Sequence, residues 1–139
     1  MTSPEQRRIL DLYSADVDSA FTDVMQRFGF RIQPAEIAPP DMWVMMKNRK
    51  GVELTIDFEW GGLLSVIVSK KPLLRFRRRH NVGPVIARRS PEGSVLYHPP
   101  FVTFDRDRVF IILKQAAFEL GQFAPDVLEG DFSACQTSR

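Results

Sequence analysis

The chain has 139 residues, 44% of them hydrophobic with 11 Phe, which is enough apolar material for one core and one domain. Charged residues at 26% and a mean hydropathy of −0.17 exclude wholesale disorder, and no apolar run exceeds five residues, as in Val109–Leu113, against the roughly 20 that span a bilayer. The net charge of +2 is segregated: residues 1–69 carry 7 Lys/Arg against 10 Asp/Glu, residues 70–90 carry 8 and no acid, and residues 91–139 carry 4 against 7, which argues against a uniformly basic nucleic-acid-binding surface.

Residues 4–28 place Leu10, Tyr13, Val17, Phe21, Val24 and Phe28 at spacings of three and four, predicting one amphipathic helix. Ser3 before Pro4 is a start signal, and Gly29 suits a left-handed stop. Phe30–Ile37 reads as an irregular edge strand, interrupted by Pro34 and ended by Pro39-Pro40.

Two better strands follow, Met42–Lys47 and Val52–Trp60. The second alternates: Val52, Leu54, Ile56, Phe58 and Trp60 on one face, and Glu53, Thr55, Asp57 and Glu59 on the other. Asn48-Arg49-Lys50-Gly51 suits a type I turn with Gly51 left-handed, a three-residue loop. At Gly61-Gly62 a two-residue loop would put Leu64, Val66 and Val68 on the acidic face. A three-residue loop, Trp60-Gly61-Gly62, instead pairs Phe58 with Leu64 and Ile56 with Val66, and is preferred.

Beyond Ser69 the pattern weakens. Lys70–His80 is basic, with Leu74–Arg77 alternating as a strand would, and Asn81–Pro84 reads as a loop. Val85–Ala87 and Ser94–His98 are expected as a last hairpin, closed by Pro99-Pro100. A second helix opens at Asp105 and ends at Gly121, with Val109, Ile112, Leu113, Ala116, Ala117 and Leu120 on its core face. Phe110, Ile111 and Phe118 lie off that face and suggest a more deeply covered helix than the first. A short turn around Asp126–Leu128 precedes a tail.

The expected architecture is therefore α+β: an antiparallel meander of about four to six strands, with an N-terminal and a C-terminal helix on one face. Residues 1–131 form the single domain and 132–139 a flexible tail. Arg7 and Arg8 precede no apolar stretch, so a cytoplasmic protein with no secretory leader and no membrane association is expected.

No catalytic motif emerges, and an enzyme is not expected. Asp57 and Glu59 share a strand face at roughly 6–7 Å, but alternation alone accounts for polar residues there. His80 and His98 read as structural or surface residues. With a single Cys, Cys135, and two distant His, neither a disulfide nor a metal site has its ligands, and no cofactor is expected.

Two binding surfaces remain. The three-residue loop at 49–51 places Val44 opposite Ile56 in the core and sends Trp43 and Met45 to the other face, amid Glu53, Asp57 and Glu59. Apolar anchors inside a charged rim suit a protein partner, unless another element folds over them. The alternative is phosphate contact through Lys70, Lys71, Arg75, Arg77, Arg78, Arg79, Arg88 and Arg89, with Phe76 available for stacking. A charged edge strand explains the same residues. A homodimer joined through the open sheet face or an edge strand is a third reading.

One resemblance covers most of the chain. It rests on Arg27-Phe28-Gly29-Phe30 closing the first helix, on Val52-Glu53-Leu54-Thr55-Ile56-Asp57, and on Ala124-Pro125-Asp126-Val127-Leu128-Glu129-Gly130-Asp131 after the last helix. In these the chain resembles small bacterial immunity proteins that accompany polymorphic or contact-dependent toxins. The resemblance implies a stoichiometric binder of a toxin domain, without catalytic residues of its own. It transfers no individual residue, and the basic 70–89 stretch is not part of it.

Overall fold

The computed structural model describes residues 4–34, 36–38, 41–59, 64–70, 79–91, 93–95 and 106–136. The N-terminal apolar stripe forms two helices, α1 (Pro4–Ala20) and α2 (Thr22–Phe28). The break falls at Phe21, whose φ of −101° and ψ of 12° leave the helical region. Thr22 Oγ1 donates to the Asp18 and Ser19 carbonyls at 2.9 and 3.1 Å, a competing local hydrogen bond of the kind that bends helices. The stripe stays in register across the bend: Leu10, Tyr13, Val17, Phe21 and Val24 are all buried. Gly29 adopts φ +72°, and the Gly29 and Phe30 amides both donate to the Met25 carbonyl, closing the helix as expected.

Among the described residues six strands follow: β1 (Arg31–Ile32), β2 (Glu36–Ala38), β3 (Asp41–Lys47), β4 (Val52–Glu59), β5 (Leu64–Lys70) and β6 (Arg79–Asn81). All pair antiparallel in the order β1-β3-β4-β5-β6, with β2 also on β3. The edge strand read at 30–37 is thus split in two, with Pro34 between the halves.

The turn chemistry sets the register. Asn48 Oδ1 accepts the Lys50 and Val52 amides at 3.1 and 3.0 Å, and Gly51 takes φ +80°. The resulting three-residue loop pairs Val44 with Ile56 and Met46 with Leu54. At the next turn Phe58 meets Leu64 and Ile56 meets Val66, the pairing that the odd-length loop predicts. Trp60, Gly61 and Gly62 themselves lie outside the described residues.

One correction concerns 83–89. The expected strand at Val85–Ala87 is helix α3 (Gly83–Arg89). Pro84 occupies its first turn, where a missing N–H costs nothing, and Asn81 Oδ1 accepts the Gly83 amide at 2.9 Å. Val85 and Ile86 are buried, while Arg88 and Arg89 stand in the last turn, where cations favour the helix dipole. Residues 96–100, the rest of the expected hairpin, lie outside the described residues.

The C-terminal helix α4 (Arg106–Phe123) runs two residues past Gly121. Gly121 faces α2: a Cβ there would lie 2.9 Å from Arg27 Nη1. Val109, Leu113, Ala116, Ala117 and Leu120 are buried, but Ile111 and Phe118 are 66% and 59% exposed, so the helix is not covered all round as its extra apolar residues suggested. Two short helices follow, α5 (Pro125–Leu128) and α6 (Ser133–Gln136). Within the stretch expected as a tail, Cys135 is buried and Phe132 sets its ring edge-on to His80 at 5.7 Å.

The helices cover one sheet face and join β3, β4 and β5 in a single core. Tyr13 of α1 stacks on Phe58 of β4 at 5.0 Å. Arg106 opens α4, where the helix dipole opposes a cation, and is held by a bidentate pair with Asp16 of α1 at 2.8 and 2.9 Å. Burial first, and then the Asp16 carboxylate, push the Tyr13 hydroxyl above its ordinary pKa. No helix among the described residues is long and apolar enough to cross a membrane.

Candidate functional site

The sheet face turned away from the helices is built by alternation in β3, β4 and β5. Its rows run across the strands. One row holds Trp43, Asp57 and Ser65; the next holds Met45, Thr55, Ile67 and Asn81; the third holds Arg31, Lys47, Glu53, Ser69 and Arg79. Beyond the Trp43 row the register also sets Asp41 opposite Glu59, the end of β4. The cations Arg31, Lys47 and Arg79 thus share one row with Glu53, Asp57 lies in the Trp43 row, and Met45 and Ile67 stand between.

Trp43 and Met45 are half-buried, as are Asp57, Ser65 and Ile67. Sequence reasoning placed both anchors on this face, and the register agrees. Glu53 differs from expectation. It is 4% exposed rather than a solvated rim charge. On a central strand it is flanked by Lys47, whose Nζ lies 3.4 Å away, and by the Ser69 hydroxyl, which donates to it at 3.5 Å. Thr55 and Ser69 are buried beside it. Trp43 and Met45 therefore sit near a polar row in which Lys47 and Ser69 hold Glu53.

The basic stretch divides. Lys71, Arg75, Arg77 and Arg78 lie outside the described residues. Arg79 is exposed, in the row that holds Lys47 and Glu53. The other three point to the C-terminal segment. Lys70 Nζ reaches the Gly130 carbonyl at 3.5 Å, and Arg88 donates to the Ala134 carbonyl at 2.6 Å. Arg89 forms a two-pronged pair with Asp126 at 2.7 and 3.0 Å and also donates to the Phe123 carbonyl at 2.8 Å. The hydrogen bond from Arg89, above all, holds the Asp126 carboxyl below its ordinary value. Lys70, Arg88 and Arg89 accordingly tie the C-terminal segment to the end of β5 and to α3. Charge and local pattern cannot reveal this, because their acceptors are mostly backbone carbonyls some 34 to 60 residues further along.

A concave feature elsewhere escaped the sequence altogether. Between the C-terminal half of α4 and the segments 90–91 and 93–95 lies a cavity of about 700 Å³. Phe118, Glu119 and Gln122 line it, and Glu119 is 1% exposed. A buried acid between Phe118 and Leu120 was the available signal, but the helical pattern alone gives it no partner. Among the described residues no group of three or more His, Cys, Asp and Glu is placed to hold a metal ion.

Compared with family models, curated proteins and solved structures, the chain matches none of them.

Proposed function

We propose that this domain is a protein-binding module that works by occupying a partner rather than by chemistry, and that its contact surface is the sheet face centred on Trp43 and Met45. The observation that carries the reading is the strand register, which puts an aromatic and a thioether side chain, both half-buried, on the face opposite the helices. Large, rigid apolar side chains with a polar surround are the usual anchors of protein interfaces. Asp57, cross-strand from Trp43, suits a partner with a basic surface, such as a toxin domain that handles polyanions. Such complementarity chiefly raises the association rate. A toxin-neutralising role is the specific form of this proposal that the resemblance implies.

The test compares wild type with a Trp43→Ala/Asp57→Lys double variant in affinity capture and subsequent titration of the captured protein. A partner held stoichiometrically by wild type and lost by the variant, at a thermal midpoint within a few degrees of wild type, supports the reading. Equal capture by both proteins refutes it. So does a sharp fall in the variant's midpoint, which would make Trp43 a packing residue.

A further inference from the structure

We infer that the cavity between α4 and the segments 90–91 and 93–95 is a binding site for a guanidinium group, with Glu119 as its acceptor. It lies on the helical side of the molecule, away from the sheet face discussed above, and does not depend on that reading.

Glu119 is the starting point. A carboxylate offers about four acceptor positions. Here Oε2 accepts one bond, from the Val95 amide at 3.2 Å, and Oε1 is buried with no hydrogen-bond partner among the described residues. Two acids embedded in the fold are matched: Asp16 has Arg106 and Glu53 has Lys47 and Ser69. An unmatched buried carboxylate oxygen is costly, and such groups call for a specific explanation. Glu119 also lines a cavity within the usual size range of ligand sites.

The walls define the ligand. Gln115, Phe118, Glu119 and Gln122 follow one stripe of α4, and Phe123 closes the same end. Phe118 is 59% exposed, an unusual place for a large ring unless its face is used. Two aromatic rings, two amide carbonyls and a carboxylate together match a flat, delocalised cation with several in-plane donors. A guanidinium meets that description better than an ammonium, because it stacks on rings and presents a fork to a carboxylate.

The opposite wall is held in place. The Ser90 amide donates to the Ile86 carbonyl, its hydroxyl donates to the Gly93 carbonyl at 2.7 Å, and Arg89 ties this end of α3 to Phe123 and Asp126. The Val95 amide belongs to the same rim as the cavity, so a donor arriving at Glu119 must disturb its signal. This makes the site observable.

The probe is N-acetylarginine amide, titrated into the labelled full chain and followed by amide NMR and calorimetry. The uncharged isostere N-acetylcitrulline amide serves as control. The arginine probe should shift the Val95 amide and bind about tenfold or more tightly than the citrulline probe. Glu119→Gln, which keeps an acceptor for Val95, should weaken the arginine probe about tenfold. Phe118→Ala, at an exposed position, should weaken it about threefold with the thermal midpoint unchanged. Ethylguanidine separates the sources. Binding equal to that of the arginine probe supports a free guanidino compound, and binding by the arginine probe alone supports an arginine of a polypeptide. Equal affinity for arginine and citrulline probes, no response at Val95, or wild-type affinity in a folded Glu119→Gln overturns the assignment. Should Glu119→Gln fail to fold, Phe118→Ala decides: unaltered binding there refutes it.

Discussion

Replacing Arg89 by Ala tests whether the basic stretch serves the fold or a ligand. The side chain is 36% exposed and Asp126 is 35% exposed, so the ion pair is discounted for solvent to about 0.5–1 kcal/mol. The bond to the Phe123 carbonyl adds about 0.5–1 kcal/mol. Arg89→Ala is therefore expected to cost about 1.5 kcal/mol at pH 7, or roughly 5 °C in thermal midpoint for a chain of this length. The pH dependence has a definite sign. Asp126 is held below its ordinary value of 3.8, chiefly by its hydrogen bond from Arg89. Its share of the stability is complete above that value and is lost as pH falls through the depressed one. A cycle of Arg89→Ala, Asp126→Ala and the double variant, unfolded in urea, should give a coupling of about 0.5–1 kcal/mol at pH 7, falling toward zero as acid protonates Asp126. The carbonyl bond should survive, leaving a smaller cost for Arg89→Ala in acid. Coupling that does not diminish as pH falls below 3.8, or is absent at pH 7, refutes the account of the clamp.

Three further outcomes follow from other contacts. Asn48→Ala removes the acceptor of two turn amides and the donor that reaches the Leu128 carbonyl at 3.0 Å, so it should cost about 2 kcal/mol in urea unfolding; a loss under about 0.5 would show that the turn does not depend on it. Gly121→Ala is expected to stabilise by about 0.5 kcal/mol in calorimetry, because a helix interior favours Ala and the tight contact is with the far end of the flexible Arg27 side chain; a destabilisation would mean that Arg27 cannot swing aside. Burial pushes the Cys135 thiol above its ordinary pKa, so iodoacetamide should label it slowly near neutral pH, and Arg88→Ala, which releases the Ala134 carbonyl, should speed labelling; unchanged rates would separate Arg88 from the docking of α6.

The meander was legible because two signals agreed. Alternation over 52–59 identified the faces, and the left-handed Gly51 together with an odd-length second loop kept the apolar set on one side. The location of Trp43 and Met45 followed from the same arithmetic. What failed was context. Seven residues, Gly83–Arg89, are too few to show a helical period, and Gly-Pro reads equally well as a loop or a helix start. Alternation assigned Glu53 to the polar face but gave no hint that Lys47 and Ser69 would enclose it there. Ile111 and Phe118, seven apart, form a second apolar stripe on α4, and only the packing of the other helices decides that this stripe stays outside. The break at Phe21 arises from a threonine hydroxyl seeking nearby carbonyls, an effect too local for any periodicity to register.

The outermost strands are very short. β6 offers three residues, while β1 and β2 offer two and three, with Pro34 in the gap between them. An added strand needs a continuous row of open backbone donors and acceptors, and neither border of the described sheet provides a long one. The described outer strands β1, β2 and β6 therefore offer little length along which a further strand or an extended peptide could pair. The broad surface that the described sheet presents is instead its side-chain face, with Trp43 and Met45 on it.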